Sequence, residues 1–195
     1  MLRTRYMPAL TLTDIILKHT FLLLIPRFVT PNAVTWFRFL TIPFVVYLFV
    51  AELYVWGLVL FVISAFSDAV DGSLARTRGQ ITEWGKMYDP VADKLLIGLS
   101  SAILISKFLN WYLAATIIGI EISLMVSAYY RKRFQGIPIE AEFSGKMKMV
   151  LQSFGIGTLL VSVAFSLPVF LTIAAYLLYI SIVFAIISLV VYRAI

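Results

Sequence analysis

Four aspartates stand in two closely spaced pairs near the middle of the chain. Asp68 and Asp71 are three positions apart, and Asp89 and Asp93 are four positions apart. Residues at these separations share one face of an α-helix, so each pair presents two carboxylates in one direction. Gly79 and the polar residues around it allow the chain to turn back between the pairs. The sequence therefore predicts two consecutive helices that bring all four carboxylates to one point.

The chemistry of such a cluster depends on what neutralises it. Four converging carboxylates repel one another, and carboxylates at membrane depth are costly and usually functional. One or two divalent cations would offset the charge, and ligands that are all oxygen favour Mg²⁺, Mn²⁺ or Ca²⁺ over zinc. Because Mg²⁺ typically joins carboxylates to substrate phosphates, the cluster indicates phosphoryl chemistry. The simpler alternative is that the aspartates cap helices or form ion pairs with nearby basic residues, namely Arg76, Arg78, Lys86 and Lys94.

The composition indicates what kind of protein must position these side chains. Of the 195 residues, 62% are hydrophobic and 13% are charged, and the mean hydropathy is +0.97. A soluble domain averages about 25% charged residues, so lipid is the expected solvent. Cysteine is absent, which excludes disulfides, thiolate metal sites and cysteine nucleophiles. The first residues contain no long apolar core and no small-residue cleavage site, so no cleavable signal peptide is expected.

Six segments are apolar enough to cross a bilayer as helices, which takes about 20 residues each. They cover residues 36–53, 54–71, 89–106, 110–130, 147–166 and 167–192. The segment within residues 1–30 has an apolar face but is too short to span, so it is predicted to lie in the membrane interface. The sequence thus predicts a single domain over residues 1–195. It is an all-α membrane protein with six transmembrane helices over residues 35–193 and an N-terminal interfacial amphipathic helix.

The basic residues are distributed unevenly about these six spans. Fifteen of the 16 Lys and Arg residues fall on one side, and only Lys107 falls on the other. Loops rich in Lys and Arg stay in the cytoplasm. We therefore expect a multi-pass protein of the cell (inner) membrane, with both termini and the aspartates on the cytoplasmic side.

The aspartates belong to a longer motif that fixes eight residues over 26 positions: Asp68-x2-Asp71-Gly72-x2-Ala75-Arg76-x8-Gly85-x3-Asp89-x3-Asp93. This motif resembles the complete signature of the CDP-alcohol phosphatidyltransferases, and the six-span layout resembles that family as well. The resemblance implies an enzyme that transfers a phosphatidyl group from a CDP-linked lipid to an alcohol, with release of CMP. It also implies a homodimer.

The resemblance further implies a role for each group of residues. Asp68, Asp71 and Asp89 would hold two Mg²⁺ or Mn²⁺ ions, and Asp93 would reach the second ion. Asp93 would also be the general base for the acceptor alcohol, although metal ligation weakens a base, so either role or both stay open. The CDP-lipid would contact Asn32, Thr35, Gly72, Ala75, Arg76 and Thr82. Asn32 and Thr35 have an alternative role, as part of a turn and helix cap that begins at a proline.

Basic residues around the fourth and fifth spans predict an acceptor that carries phosphate. They are Lys146, Arg131, Arg133 and Lys148. Lys146 lies at the start of the fifth span, where the helix N-terminus also attracts anions. Arg131 and Arg133 have an alternative role as anchors on anionic lipid headgroups.

The segment Gly136-x4-Ala141-x3-Gly145-Lys146-x-Lys148-x3-Gln152 resembles the bacterial phosphatidylglycerophosphate synthases within that family. Glu121 also matches that branch, whereas Met149 replaces its usual threonine and Ile120 stands where it has an arginine. The predicted reaction is transfer from CDP-diacylglycerol to sn-glycerol 3-phosphate, a small phosphorylated polyol. Phosphatidylglycerol and inositol phosphate are alternative acceptors, and a divalent-cation channel or carrier is an alternative of a different class. The expected partners are these substrates and membrane lipids, with no nucleic acid.

Overall fold

The computed structural model describes residues 12–23, 25–26, 29–130 and 143–194, and this part of the chain is helical with no strand. Its long elements are α1 Leu12–His19, α2 Pro31–Val50, α3 Tyr54–Thr77, α4 Glu83–Phe108, α5 Trp111–Tyr130, α6 Phe143–Phe165 and α7 Pro168–Ala194. A short 3-10 turn, Phe21–Leu23, follows α1. The predicted all-α class is confirmed.

Several of these helices have the length and composition of membrane spans. Among the described residues, four helices are long and apolar enough to cross a bilayer: Pro31–Val50, Tyr54–Thr77, Phe143–Phe165 and Pro168–Val190. A shorter apolar helical stretch covers Trp111–Ser127. Many large apolar side chains are exposed, among them Val50, Phe154 and Val169, each about two-thirds accessible. Such a surface is unfavourable in water and suits a lipid environment.

The described residues form two compact units. The first contains the described residues up to Phe44 together with Leu60–Leu96, and the second contains Val45–Val59 and the described residues from Ile97 onward. All four signature aspartates belong to the first unit.

In the first unit, α1 packs on the second half of α3. Leu17 and Leu22 are buried against Val70 and Leu74, and Ile25 covers the edge of this cluster. Burying apolar side chains in this way fixes α1 to α3 through non-directional contacts. Residues 1–11, the beginning of the predicted interfacial segment, lie outside the described residues.

The helix ends around the aspartates follow from local chemistry. Pro31 begins α2, where its missing N–H costs nothing, and Thr30 accepts a hydrogen bond from the Ala33 amide at 3.3 Å. At the end of α3, Gly79 adopts φ +62°, a conformation that residues with a Cβ rarely take. The Gln80 amide there donates to the Ala75 carbonyl at 2.9 Å, closing the helix end. The chain can then reverse and begin α4 within a few residues.

In the second unit, α6 packs along α7, and α5 also contacts α7. The buried residues between them include Ile156, Leu159, Leu160, Ala174 and Leu178. The α6–α7 turn is tight: Ser166 has φ 55°, and the Ser162 hydroxyl donates to the Leu167 carbonyl at 2.9 Å. Where α2 gives way to α3, Glu52 pairs with Lys107 at 2.6 Å.

Candidate active site

A buried arginine on α2 joins the two aspartates of α3. Arg38 is fully buried, and its Nη1 and Nη2 atoms lie 2.8 Å from Asp68 Oδ1 and 2.7 Å from Asp71 Oδ2. Its Nε donates to the Ser67 hydroxyl at 3.2 Å. The planar guanidinium therefore forks between two carboxylates and offsets the charge of both.

A threonine hydroxyl on α2 connects this group to α4. Thr35 Oγ1 donates to Asp89 Oδ1 at 2.7 Å and lies 3.5 Å from Asp71 Oδ2. Thr35 is buried and stands three residues before Arg38, so both face α3 from the same side of α2. Asp93 follows Asp89 by one helical turn on α4 and is half-buried. Helices α2, α3 and α4 thus contribute to one polar site in the first unit.

The donor atoms of this site suit a hard divalent cation. Asp68, Asp71 and Asp89 offer only carboxylate oxygens, the ligands that Mg²⁺ and Mn²⁺ prefer. The Asp68 side chain is half-exposed, whereas Asp71 is almost fully buried. Within the residues that the structure describes, no three acidic side chains surround a common cation position. Arg38 lies between Asp68 and Asp71. A cation bound here would share these carboxylates with the guanidinium.

A pocket of about 300 Å³ opens beside the carboxylates. It is lined by Pro31, Asn32, Gly72, Ala75, Arg76, Gln80, Ile81, Thr82, Gly85 and Asp89. All the residues predicted to contact the CDP-lipid belong to this wall except Thr35. Thr35 does not line the pocket, but it donates a hydrogen bond to Asp89, which does.

The start of α4 shapes the polar end of this pocket. Thr82 immediately precedes α4 and accepts a hydrogen bond from the Gly85 amide at 3.0 Å, as an N-cap does. The same hydroxyl donates to Asn32 Oδ1 at 2.8 Å. A Cβ at Gly85 would lie 3.2 Å from Thr82 Oγ1 and 3.4 Å from both Asn32 Oδ1 and Asp89 Oδ2. Only a residue without a side chain leaves these oxygens undisturbed.

Arg76 forms a charged part of the pocket wall and is held by an aspartate of α1. Its Nε and Nη2 atoms donate to the two carboxylate oxygens of Asp14, each at 2.8 Å. A Cβ built at Gly72 would lie 3.3 Å from the Nη1 atom of Arg76, so the guanidinium lies close to the Gly72 backbone. Arg76 is one-third exposed on its side chain, whereas Asp14 is fully buried.

Two of the residues predicted to bind the acceptor phosphate, Lys146 and Lys148, lie in the second unit. Lys146 is exposed in the first turn of α6. Lys148 is buried, and its Nζ lies 2.5 Å from Glu121 Oε1 on α5. This ion pair offsets two buried charges and occupies the ammonium group. Arg131 and Arg133 lie outside the described residues.

The sequence analysis gave no role to Arg38 or to Asp14. A signal for Arg38 existed, because a charged residue inside an apolar span is rarely without a function. No such signal exists for Asp14, since nothing in local spacing pairs it with a residue 62 positions away.

Comparison with known proteins agrees with this geometry. Residues 28–188 match the CDP-alcohol phosphatidyltransferase family, and the chain therefore belongs to it. Members of this family generally depend on a divalent metal ion.

Individual relatives carry a more specific name, CDP-diacylglycerol–glycerol-3-phosphate 3-phosphatidyltransferase. Proteins so named from Salmonella choleraesuis and Escherichia coli are each 30% identical over 142 residues, which cover 69% of this chain and 78% of theirs. One from Rickettsia typhi is 39% identical over 80 residues, covering 40% of this chain and 45% of its own.

Proposed function

We propose that this protein transfers the phosphatidyl group of CDP-diacylglycerol to sn-glycerol 3-phosphate and releases CMP. The observation that carries this proposal is the pocket in which Asn32, Gly72, Ala75, Arg76 and Thr82 meet beside Asp89. A charged wall, small residues and neighbouring carboxylates in one cavity suit a nucleotide diphosphate. The names of the Salmonella and Escherichia coli relatives support the same reaction.

The pocket residues divide the recognition of the CDP-lipid among themselves. Arg76 pairs with the diphosphate, since a guanidinium matches phosphate oxygens in charge and geometry. Gly72 and Ala75 lie about one turn apart on α3 and leave room for the nucleotide against the helix backbone. Asn32 and Thr82 offer polar atoms at the end of the pocket where they already bond each other.

The carboxylates are suited to hold the divalent ions of the working enzyme. Asp68, Asp71 and Asp89 would bind Mg²⁺ or Mn²⁺, two ions in all, and Asp93 would reach the second. When bound, these ions offset the negative charge that develops on the diphosphate. Arg38 holds Asp68 and Asp71 toward the same place, because its guanidinium pairs with both carboxylates.

The transfer itself needs one proton acceptor. Asp93, a half-buried carboxylate one turn beyond Asp89, takes the proton from the acceptor hydroxyl. The hydroxyl oxygen then forms a bond to the β-phosphorus of the CDP-lipid. The bond from that phosphorus to the bridging oxygen breaks, and the oxygen leaves with CMP.

The acceptor is recognised by its phosphate. Lys146 is exposed at the N-terminus of α6, where the ammonium and the helix end both attract an anion. Lys148 belongs to the same site, together with Arg131 and Arg133. Because the ammonium of Lys148 is occupied by Glu121, Lys146 makes the direct contact with the phosphate.

We further infer that α2 to α7 are six membrane spans with α1 in the interface, in a homodimer of the inner membrane. Four helices of suitable length and the apolar stretch Trp111–Ser127 support this arrangement. Helix α4 completes the set, because all its charged residues except Lys107 fall in its first half and the stretch after Lys94 is mostly apolar. The excess of Lys and Arg on one side supports a cytoplasmic position for the active site and both termini.

The reaction is tested by CMP release from the purified protein. CDP-diacylglycerol is supplied with sn-glycerol 3-phosphate, phosphatidylglycerol or inositol phosphate, each with and without Mg²⁺. We expect metal-dependent release that is fastest with glycerol 3-phosphate. A preference for another acceptor would rule out the assignment, and ion flux in proteoliposomes without any CDP-lipid would favour a channel.

Acceptor recognition is tested in the same assay with Lys146→Ala. The KM for glycerol 3-phosphate should rise while the KM for the CDP-lipid stays unchanged. Lys107→Ala is the matched control, since it removes an exposed lysine that pairs with Glu52. Equal effects of the two substitutions would remove Lys146 from the acceptor site.

A further inference from the structure

Asp14 lies outside the part of the chain that matches the family, yet it reaches the pocket wall. The matched residues begin at position 28, and Asp14 stands on α1, well before them. Its carboxylate is completely buried and binds Arg76, which lines the pocket. A buried carboxylate on a substrate-binding arginine calls for a functional explanation.

The geometry of the pair leaves part of the guanidinium directed at the pocket. Both Asp14 oxygens are used on Nε and Nη2, which form one edge of the guanidinium plane. Nη1 is the guanidinium nitrogen that Asp14 does not use, and a Cβ at Gly72 would lie 3.3 Å from Nη1 and 3.4 Å from Nη2. The bidentate contact therefore fixes the guanidinium plane against Gly72 of the pocket wall and leaves Nη1 unused by Asp14.

Asp14 is itself held in place without the help of Arg76. Leu17 and Leu22 anchor the segment on Val70 and Leu74 of α3. Beyond the end of α3, the Arg78 guanidinium donates to the carbonyls of Ile25, Pro26 and Val29 at 2.8, 3.3 and 2.9 Å. Apolar packing on one side and three hydrogen bonds on the other make α1 a fixed support for its carboxylate.

We propose that Asp14 is a positioning residue that orients Arg76 for the diphosphate of the CDP-lipid. This rests on the proposed function. A free arginine side chain loses much of its rotamer entropy when it binds a ligand. The bidentate pair with Asp14 removes that freedom before the substrate arrives, so binding is stronger and better aligned. Helix α1 is thereby part of the substrate site as well as a support for α3.

The test is Asp14→Asn in the purified full-length enzyme, with kinetics for each substrate measured separately. Asparagine keeps the size of the side chain but loses the charge. We expect the KM for CDP-diacylglycerol to rise about tenfold or more, as loss of a hydrogen bond between charged groups predicts. The KM for glycerol 3-phosphate and the melting temperature in detergent should change little.

Two further variants separate positioning from support of the helix. In an Arg76→Ala background, Asp14→Asn should have no additional effect on the KM for the CDP-lipid, because its target is gone. Leu17→Ala loosens the same helix but keeps the Asp14 carboxylate, so it should lower the melting temperature while raising that KM clearly less than Asp14→Asn does. The proposal is overturned if Leu17→Ala reproduces the KM change, or if the Asp14 effect persists without Arg76.

The failure of this inference can be told apart from failure of the proposed function. A wild-type protein that releases no CMP with any acceptor would refute the function. An active wild-type enzyme whose Asp14→Asn variant keeps its KM for the CDP-lipid would refute the positioning role alone.

Discussion

Arg38 shows how much a single buried side chain decides in this site. It is fully buried, and its partner Asp71 is almost as inaccessible. Charges in such surroundings are tolerated only as pairs, and removing one partner leaves the other without compensation. Asp68 would then also face Asp71 with no cation between them. The arrangement of the carboxylates in this site therefore depends on the basic residue Arg38.

Replacing Arg38 by methionine should destabilise the protein strongly. We expect a loss of about 3–5 kcal/mol in unfolding free energy, the usual cost of breaking a buried ion pair. Arg38→Lys should retain part of the stability but not the fork between two carboxylates. Thermal unfolding in detergent measures both, and a melting temperature for Arg38→Met equal to that of the wild type would contradict the argument.

Asp93 and Asp89 should respond differently to loss of charge. Asp93→Asn removes the proposed base, and turnover should fall about 10²- to 10⁴-fold while CDP-lipid binding is largely kept. Asp89 lines the pocket, so the Asp89→Asn variant should lose both CDP-lipid binding and turnover. Turnover is measured by CMP release and binding by equilibrium titration with CDP-diacylglycerol. Equal loss of binding and turnover in Asp93→Asn would argue against the base role.

At the scale of helices, the structure extends the predicted spans toward the polar side. The predicted second span ends at residue 71, whereas α3 continues to Thr77, and the predicted third span begins at residue 89, whereas α4 begins at Glu83. Hydropathy marks where the apolar part begins and ends, but capping decides where a helix ends. Thr82 and Gly79 set these boundaries, and the resulting extra turns carry Arg76 and Gly85 to the pocket.

Helical periodicity predicts contacts within an element better than contacts between elements. The spacing of Asp68 and Asp71 was sufficient to predict that they share a face, and both meet Arg38. The identity of that partner is set by the packing of α2 on α3, which spacing does not encode. The same holds for Asp14 with Arg76 and for Glu121 with Lys148. Motif resemblance supplied the pocket residues, because it carries three-dimensional information that periodicity lacks.

Two glycines of α4 offer a matched comparison of pocket shape. A methyl group at Gly85 would crowd three oxygens of the pocket, whereas one at Gly98 would meet nothing within 4 Å. Gly85→Ala should therefore raise the KM for the CDP-lipid several-fold. Gly98→Ala should leave the KM unchanged and stabilise the helix by up to about 1 kcal/mol, since alanine favours helix. Kinetics and thermal unfolding of both variants test this, and an unaltered KM in Gly85→Ala would contradict the proposed fit.

At the scale of the whole molecule, the absence of cysteine makes the membrane topology directly testable. Single cysteines can be introduced as Ala51→Cys, in the exposed turn between α2 and α3, and as Lys18→Cys, exposed on α1. In spheroplasts, a membrane-impermeant maleimide should label position 51 at once and position 18 only after lysis. Labelling of both positions in intact spheroplasts, or of position 18 alone, would refute the orientation.

Thr35 has a single hydrogen to give and two acids within its reach. It gives that hydrogen to Asp89, at 2.7 Å, while Asp71 stands 3.5 Å away. Turning the hydroxyl by rotation about the C–O bond redirects the donation from one acid to the other. A ligand that binds Asp89 would leave the hydroxyl to donate to the Pro31 carbonyl, 3.2 Å away, or to Asp71. The site can thus change the hydrogen bonds of its carboxylates by rotating one hydroxyl group, without moving a helix.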